Sequence, residues 1–251
     1  QRIEGQIDLF TQDGQFICIH VPAARDNDGA KRRLLVVVHG YGARRNNARG
    51  RQRVRDFAAS WGRAVEMYPW VVMAPHFDQK RFSNDYQRLN RAGLRADLRL
   101  NRLIKAIGAQ CRPLNIDTRK IFLLGFSGGG QFVHRYVAFH GQTVSRAIIG
   151  APGWFMWPDL NRPYPIGMGE PHAPQKGPER LRRLCRQEML LLVGDRDRVQ
   201  GAYRSAYHGI DLDVLQGRGR RKRAANWFAA LEKAADELNM DHHCRIRILK
   251  N

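Results

Sequence analysis

The chain has 251 residues, 43% hydrophobic and 26% charged, enough for one globular core, and no run nears the roughly 18 apolar residues of a membrane-crossing helix. Its formal net charge of +20 invites a nucleic-acid reading, yet 35 of the 43 basic residues are arginines scattered from Arg2 to Arg247, where a recognition face would concentrate them. Two readings of the charge stay open, a solubilising surface or attraction to an acidic substrate, lipid or polymer; the dense clusters lie at 218–223 and, less strongly, 44–55.

In chain order, 5–11 and 15–21 read as two strands joined by a turn at Asp13-Gly14. Residues 33–38 form a nearly continuous β-branched run, the pattern of a strand buried on both faces of a parallel sheet. A helix is expected over 54–65, a buried strand over 70–74, and a polar, aromatic loop over 75–90. Leu94, Leu98, Leu103, Ile104 and Ile107 carry helical spacing through 94–111. The short strand 120–124 enters a glycine-rich turn and a helix through Phe132, Val133, Tyr136 and Val137. After a strand at 145–150 the stretch 152–176 has no period; with the helix 178–186 it reads as a lid-like insertion, 152–186. A strand at 189–193, a helix at 221–238 and a strand at 244–249 complete the chain. Strands alternating with helices argue for one α/β domain, 1–251, built on a mostly parallel sheet of about eight strands.

The chemistry centres on Gly125-Phe126-Ser127-Gly128-Gly129, a G-x-S-x-G sequence with a buried strand before it and a helix after. A nucleophilic serine needs a sharp bend that exposes its hydroxyl, and small residues two before and two after let strand and helix approach. The helix N-terminus places positive potential where an oxyanion would form. A second signal is 35–42, Leu-Val-Val-Val-His-Gly-Tyr-Gly, ending a buried strand.

With these two segments in this order, the chain resembles the α/β-hydrolase superfamily, and bacterial esterases and depolymerase-like serine hydrolases most, over nearly its whole length. The G-x-S-x-G-G form also resembles prolyl-oligopeptidase-like peptidases. The resemblance implies Ser127 as nucleophile, with the N–H groups of Tyr41 and Gly128 as oxyanion donors, each worth roughly 3 kcal/mol of barrier. It implies an acid just past the strand 189–193, in Gly194-Asp195-Arg196-Asp197, with Asp197 in the role and Asp195 as competitor. The family's histidine follows the last strand, so it is expected beyond Asn251. His242 and His243 precede that strand, His208 comes early in family order, and His76, His134, His140 and His172 have no positional claim. Trp154 and Phe155 follow the strand after the bend and are expected to line a substrate cleft, with Phe77, Phe82 and Tyr86 from another loop.

The implied activity is cleavage of a carboxylic ester, small or polymeric and possibly acidic, through an acyl-serine intermediate, with neither metal nor organic cofactor. Peptidase or acyltransferase chemistry, and a non-catalytic binding protein on the same scaffold, are the alternatives. Cys18, Cys111, Cys185 and Cys244 lack metal-ligand spacing and leave both disulfides and buried thiols open. No basic-then-apolar leader is visible. The chain opens at Gln1 rather than Met, which implies a segment upstream, and the compartment stays open.

Overall fold

The computed structural model describes residues 4–23, 30–83, 85–91, 93–169, 176–197 and 206–250. The chain divides into two compact units, Gln1–Leu124 and Gly125–Asn251, where the sequence reading has one domain.

In the first unit, β1 (Gly5–Phe10) alternates half-buried and exposed residues, as expected of an edge strand with one wet face. It runs antiparallel to β2 (Phe16–Val21) in a register from Gly5↔Val21 to Phe10↔Phe16. β3 (Arg32–Val38) and β4 (Trp70–Pro75) are parallel neighbours with solidly buried cores, and β2 lies antiparallel to β4. α1 (Ala48–Ala64) starts earlier than its apolar period suggests, because the Asn47 side chain caps it by accepting the Gly50 N–H at 2.9 Å. Its buried stripe is Gly50, Val54, Ala58 and Gly62, small residues four apart that leave little bulk against the sheet. The expected 75–90 loop contains a short α2 (Gln79–Phe82), capped by Asp78, and a single 3₁₀ turn at Tyr86–Arg88. A two-stranded hairpin, β5 (Asn90–Arg91) with β6 (Leu94–Arg95), precedes α3 (Ala96–Gln110). β7 (Ile116–Phe126) is longer than expected and ends two residues into the second unit.

The second unit begins with α4 (Gly128–His140), whose first eleven residues, Gly128 to Ala138, are all buried. β8 (Val144–Gly150), β9 (Met189–Gly194) and β12 (Cys244–Leu249) run parallel, Ala147 pairing with Met189 and Cys244 with Met189 on the other side. Between them come α5 (Lys176–Arg186), the hairpin of β10 (Ala206–Tyr207) and β11 (Ile210–Asp211), α6 (Leu212–Gln216) and α7 (Arg220–Glu237). Of the expected 152–186 insertion, α5 is the helix in the crossover from β8 to β9, and the described residues 152–169 carry turns, bends and the isolated bridge Pro163↔Gly169; 170–175 lie outside the described residues.

The eight long strands form one mixed, mostly parallel sheet in the order β1-β2-β4-β3-β7-β8-β9-β12, flanked by helices. Among the described residues no helix is long and apolar enough to cross a membrane. All four cysteines are free thiols, and burial pushes Cys18 and Cys244 up to about 12 and Cys185 up to about 11.

Candidate active site

β7 delivers Gly125 and Phe126 into a bend at Ser127, and α4 starts on the next residue. Ser127 sits at φ 57°, ψ −110°, a region that an L-residue occupies only when its surroundings enforce it. Its N–H donates to the Gly150 carbonyl at 2.8 Å, and its own carbonyl accepts the Gln131 N–H at 3.1 Å. A Cβ on Gly125 would lie 2.3 Å from the Gly129 backbone, and one on Gly130 would lie 2.7 Å from Gly150 O. Glycine at these places lets β7, α4 and β8 meet backbone to backbone. The sequence reading put the second demand for space at Gly129; the crowding against β8 adds Gly130.

A serine at a helix N-cap ordinarily commits its hydroxyl to a first-turn N–H. Ser127 makes no such bond and is half-buried, so its hydroxyl is left for other chemistry. The Gly128 N–H, first in α4, has no acceptor inside the helix and lies at the positive end of its dipole.

In the first unit, β3 runs into His39-Gly40 and a 3₁₀ turn at Tyr41–Ala43. Ala43 N–H closes that turn on Gly40 O, so the Tyr41 N–H has no acceptor within it. The Arg44 guanidinium lies 3.7 Å from the Tyr41 ring centroid and donates to Tyr41 O at 2.9 Å, fixing the turn from outside. His39 fixes it from inside. Its Nε2 accepts the Phe77 N–H at 3.0 Å, so the proton is on Nδ1, which donates to Gly40 O at 2.8 Å. Burial pushes the imidazole down to about 3. His39 is thus a neutral structural tie with both nitrogens engaged.

Hydrogen bonds step across the carboxyl ends of the second unit's strands: Ser127 N–H to Gly150 O, Ala151 N–H to Leu192 O, and Asp195 N–H to Leu249 O, each 2.8 Å. Ser127, the Gly194–Asp197 turn and the end of β12 therefore share one edge. Asp197 Oδ2 faces Arg220 Nη1 at 3.3 Å, and its Oδ1 is buried with no hydrogen-bond partner among the described residues. Asp195 Oδ1 is in the same condition, while its carbonyl accepts Arg221 Nη1 at 3.4 Å.

Trp154 and Phe155, expected to line a cleft, are 3% and 0% exposed. Phe155 stacks on Trp227 (centroids 4.8 Å apart, 17° between planes) and tilts against His134. Trp154 packs with Ile166, Tyr207 and Leu212. The segment they occupy forms no strand, so its backbone is satisfied by side chains. Gln216 Oε1 accepts the Phe155 N–H at 2.9 Å and its Nε2 donates to Phe155 O at 2.8 Å. His134 Nε2 accepts the Met156 N–H, Trp227 Nε1 donates to Met156 O, and Arg223 Nη1 donates to Gly153 O. Both aromatic residues are core residues. So are Phe77, Phe82 and Tyr86, all buried, with Tyr86 Oη donating to His39 O at 2.7 Å. Exposure cannot be read from an aromatic run whose hydrogen-bond partners are distant in sequence.

The histidines sort by the same accounting. His134 also donates from Nδ1 to Gly130 O, which leaves it no free nitrogen. His76 Nε2 donates to Ala43 O. His242 and His243 stand at the amino end of β12, the edge opposite Ser127. His208 lies in the β10–β11 turn against Tyr207, and His172 falls outside the described residues.

No protein-family model matches the sequence, and no curated protein matches it by sequence. Solved structures do. A poly(3-hydroxybutyrate) depolymerase from Bordetella parapertussis superposes with a TM-score of 0.78 at 20% identity, over 100% of this chain and 85% of that one. Poly(aspartic acid) hydrolase-1 from Sphingomonas sp. KT-1 gives 0.79 at 20% identity, over 99% and 93%. The fluorophosphonate-binding serine hydrolase F of Staphylococcus aureus gives 0.57 at 11% identity, over 98% and 90%. At such identities the likeness is one of fold, and it extends over essentially the whole chain: the protein has the fold of the α/β-hydrolase superfamily.

Proposed function

We propose that the chain is a serine hydrolase that cleaves a carboxylic ester or related acyl bond, with Ser127 as nucleophile. The observation that carries this reading is the Ser127 backbone, held at φ 57° between a strand and a buried helix with its hydroxyl not used as a cap. Ser127 Oγ attacks the acyl carbon and gives its proton to a base. The Gly128 N–H receives the developing oxyanion, and sequence order after His39-Gly40 assigns the Tyr41 N–H as the second donor. Collapse of the tetrahedral intermediate expels the alcohol, which takes the proton from the base, and water then cleaves the acyl-serine by the same route. The base in this reading is a histidine following β12. Leu249 O accepts the Asp195 N–H, so that edge lies beside Asp197, whose open Oδ1 would orient and stabilise an imidazolium.

An anionic polymer is the second substrate reading. The net charge favours it, as do the exposed Arg196, Arg221 and Lys222, carried on the Asp195 turn and on the helix end bonded to that turn. One of the similar structures is a poly(aspartic acid) hydrolase, another a poly(3-hydroxybutyrate) depolymerase.

A fluorophosphonate probe followed by peptide mapping tests the nucleophile. Label is expected on Ser127 and absent from Ser127→Ala, with ester turnover lost in step. Turnover surviving in Ser127→Ala, or an inert Ser127 in the full chain, overturns the reading in favour of a binding protein. Comparing p-nitrophenyl esters with poly(aspartate) at rising salt separates the substrates, because salt raises KM steeply for the polyanion alone.

A further inference from the structure

Arg220 opens α7, and on that helix Arg220, Arg223, Trp227 and Leu231 follow one another at three- and four-residue steps. The last three are fully buried, and Arg220 continues their stripe toward the carboxyl edge, with only 14% of its side chain exposed. The helix end that carries it is fixed from within. Arg223 Nε donates to Gly217 O at 3.0 Å, its Nη1 to Gly153 O at 2.6 Å, and its Nη2 pairs with Asp213 at 2.8 Å. Gly219 sets the entry into α7 at φ 84°, which suits glycine alone.

An arginine on so firm a base is a reference point. Its Nη1 lies 3.3 Å from Asp197 Oδ2, and Asp197 is itself 15% exposed. The opposite oxygen, Oδ1, is left buried and open among the described residues. Asp195, the other carboxylate of the turn, receives from α7 a bond to its backbone carbonyl, from Arg221. We infer that Arg220 is a positioning residue: it engages Oδ2 of Asp197 and thereby presents Oδ1 to the catalytic base, which selects Asp197 over Asp195 as the acid. The inference rests on the serine-hydrolase reading and acts only through Asp197.

The test is a mutant cycle on the full chain with an activated ester. Arg220→Gln is expected to lower kcat about 10- to 100-fold with KM within about twofold, the signature of a misplaced group. Arg220→Lys keeps the charge, loses the planar reach and recovers part of kcat; it carries the comparison if the glutamine variant melts early. Asp197→Asn is expected to cost far more, about 10⁴-fold, and Asp195→Asn little. On the Asp197→Asn background, Arg220→Gln should cost nothing further. An equal loss on both backgrounds, or kcat within about twofold in Arg220→Gln alone, overturns the inference while leaving a Ser127 that still takes the fluorophosphonate. An unlabelled Ser127 overturns the hydrolase reading instead.

Discussion

A backbone held at φ 57° on a non-glycine residue costs on the order of 1–3 kcal/mol, and Ser127 carries that strain because three backbones crowd around it. The crowding makes Gly125 intolerant of the smallest side chain. Its Cβ would meet backbone atoms at 2.3 Å, and backbone cannot swing aside as a flexible side chain can. Gly125→Ala is therefore expected to lose about 1–3 kcal/mol in urea unfolding, and fluorophosphonate labelling of Ser127 with it. An alanine variant that unfolds at the wild-type midpoint and labels at the wild-type rate would show that the bend is not built by this contact. Ser127 and Gly125 were legible because their spacing is local: strand, bend and helix are consecutive in the chain. Gly130 was not, since its demand for space comes from β8, and no local pattern announces which strand will lie there.

Elements show the same division between local and distant causes. β3, β4 and β9 declare themselves as short apolar runs, and α3 by its period. α1 lost its first turns in the sequence reading because the buried residue there is Gly50, which no hydrophobic period registers. The stretch after β8 reads as a lid because it has neither period. Its first residues, 151–156, are buried, and Gly153, Phe155 and Met156 are bonded by His134, Gln216, Arg223 and Trp227 from α4, α6 and α7. Those bonds are worth most when broken one-sidedly, because each buried polar group left unpaired costs about 1–3 kcal/mol. Gln216→Leu strands both the Phe155 N–H and its carbonyl. Gln216→Glu keeps the acceptor for the N–H and faces the carbonyl with an anion. Both should lower the urea midpoint, the leucine variant by more than any exposed Gln→Leu control such as Gln52→Leu. Equal midpoints for the buried and exposed pair would mean that the segment is held by its aromatic packing alone.

At the scale of the whole molecule, charge and burial work in the same direction as pH falls. The strand alternation already implied the mostly parallel sheet, whereas the hairpins β5–β6 and β10–β11 are too short to carry a period and went unread. The net charge was also plain in the sequence, but its consequence for stability needed the structure. His39 is held down to about 3, and His134 well below its ordinary value, in both cases chiefly by burial. A folded-state value below the unfolded one means the fold binds the neutral imidazole. The stabilisation is complete above the unfolded value of about 6.5 and declines as pH falls from there toward the folded values. Each such histidine withdraws about 1.4 kcal/mol per pH unit across that window. Acid also raises a net charge that already stands at +20, and self-repulsion grows with it. Salt separates the two causes, because it screens repulsion between exposed charges and leaves a buried imidazole unscreened. Unfolding free energy measured at pH 7.5 and pH 4.5, in 0.1 M and about 1 M salt, should fall with acid in both. Salt should recover only part of the loss. Full recovery would assign acid sensitivity to surface arginines alone, and the buried histidines would then be protonated in the folded protein at little cost.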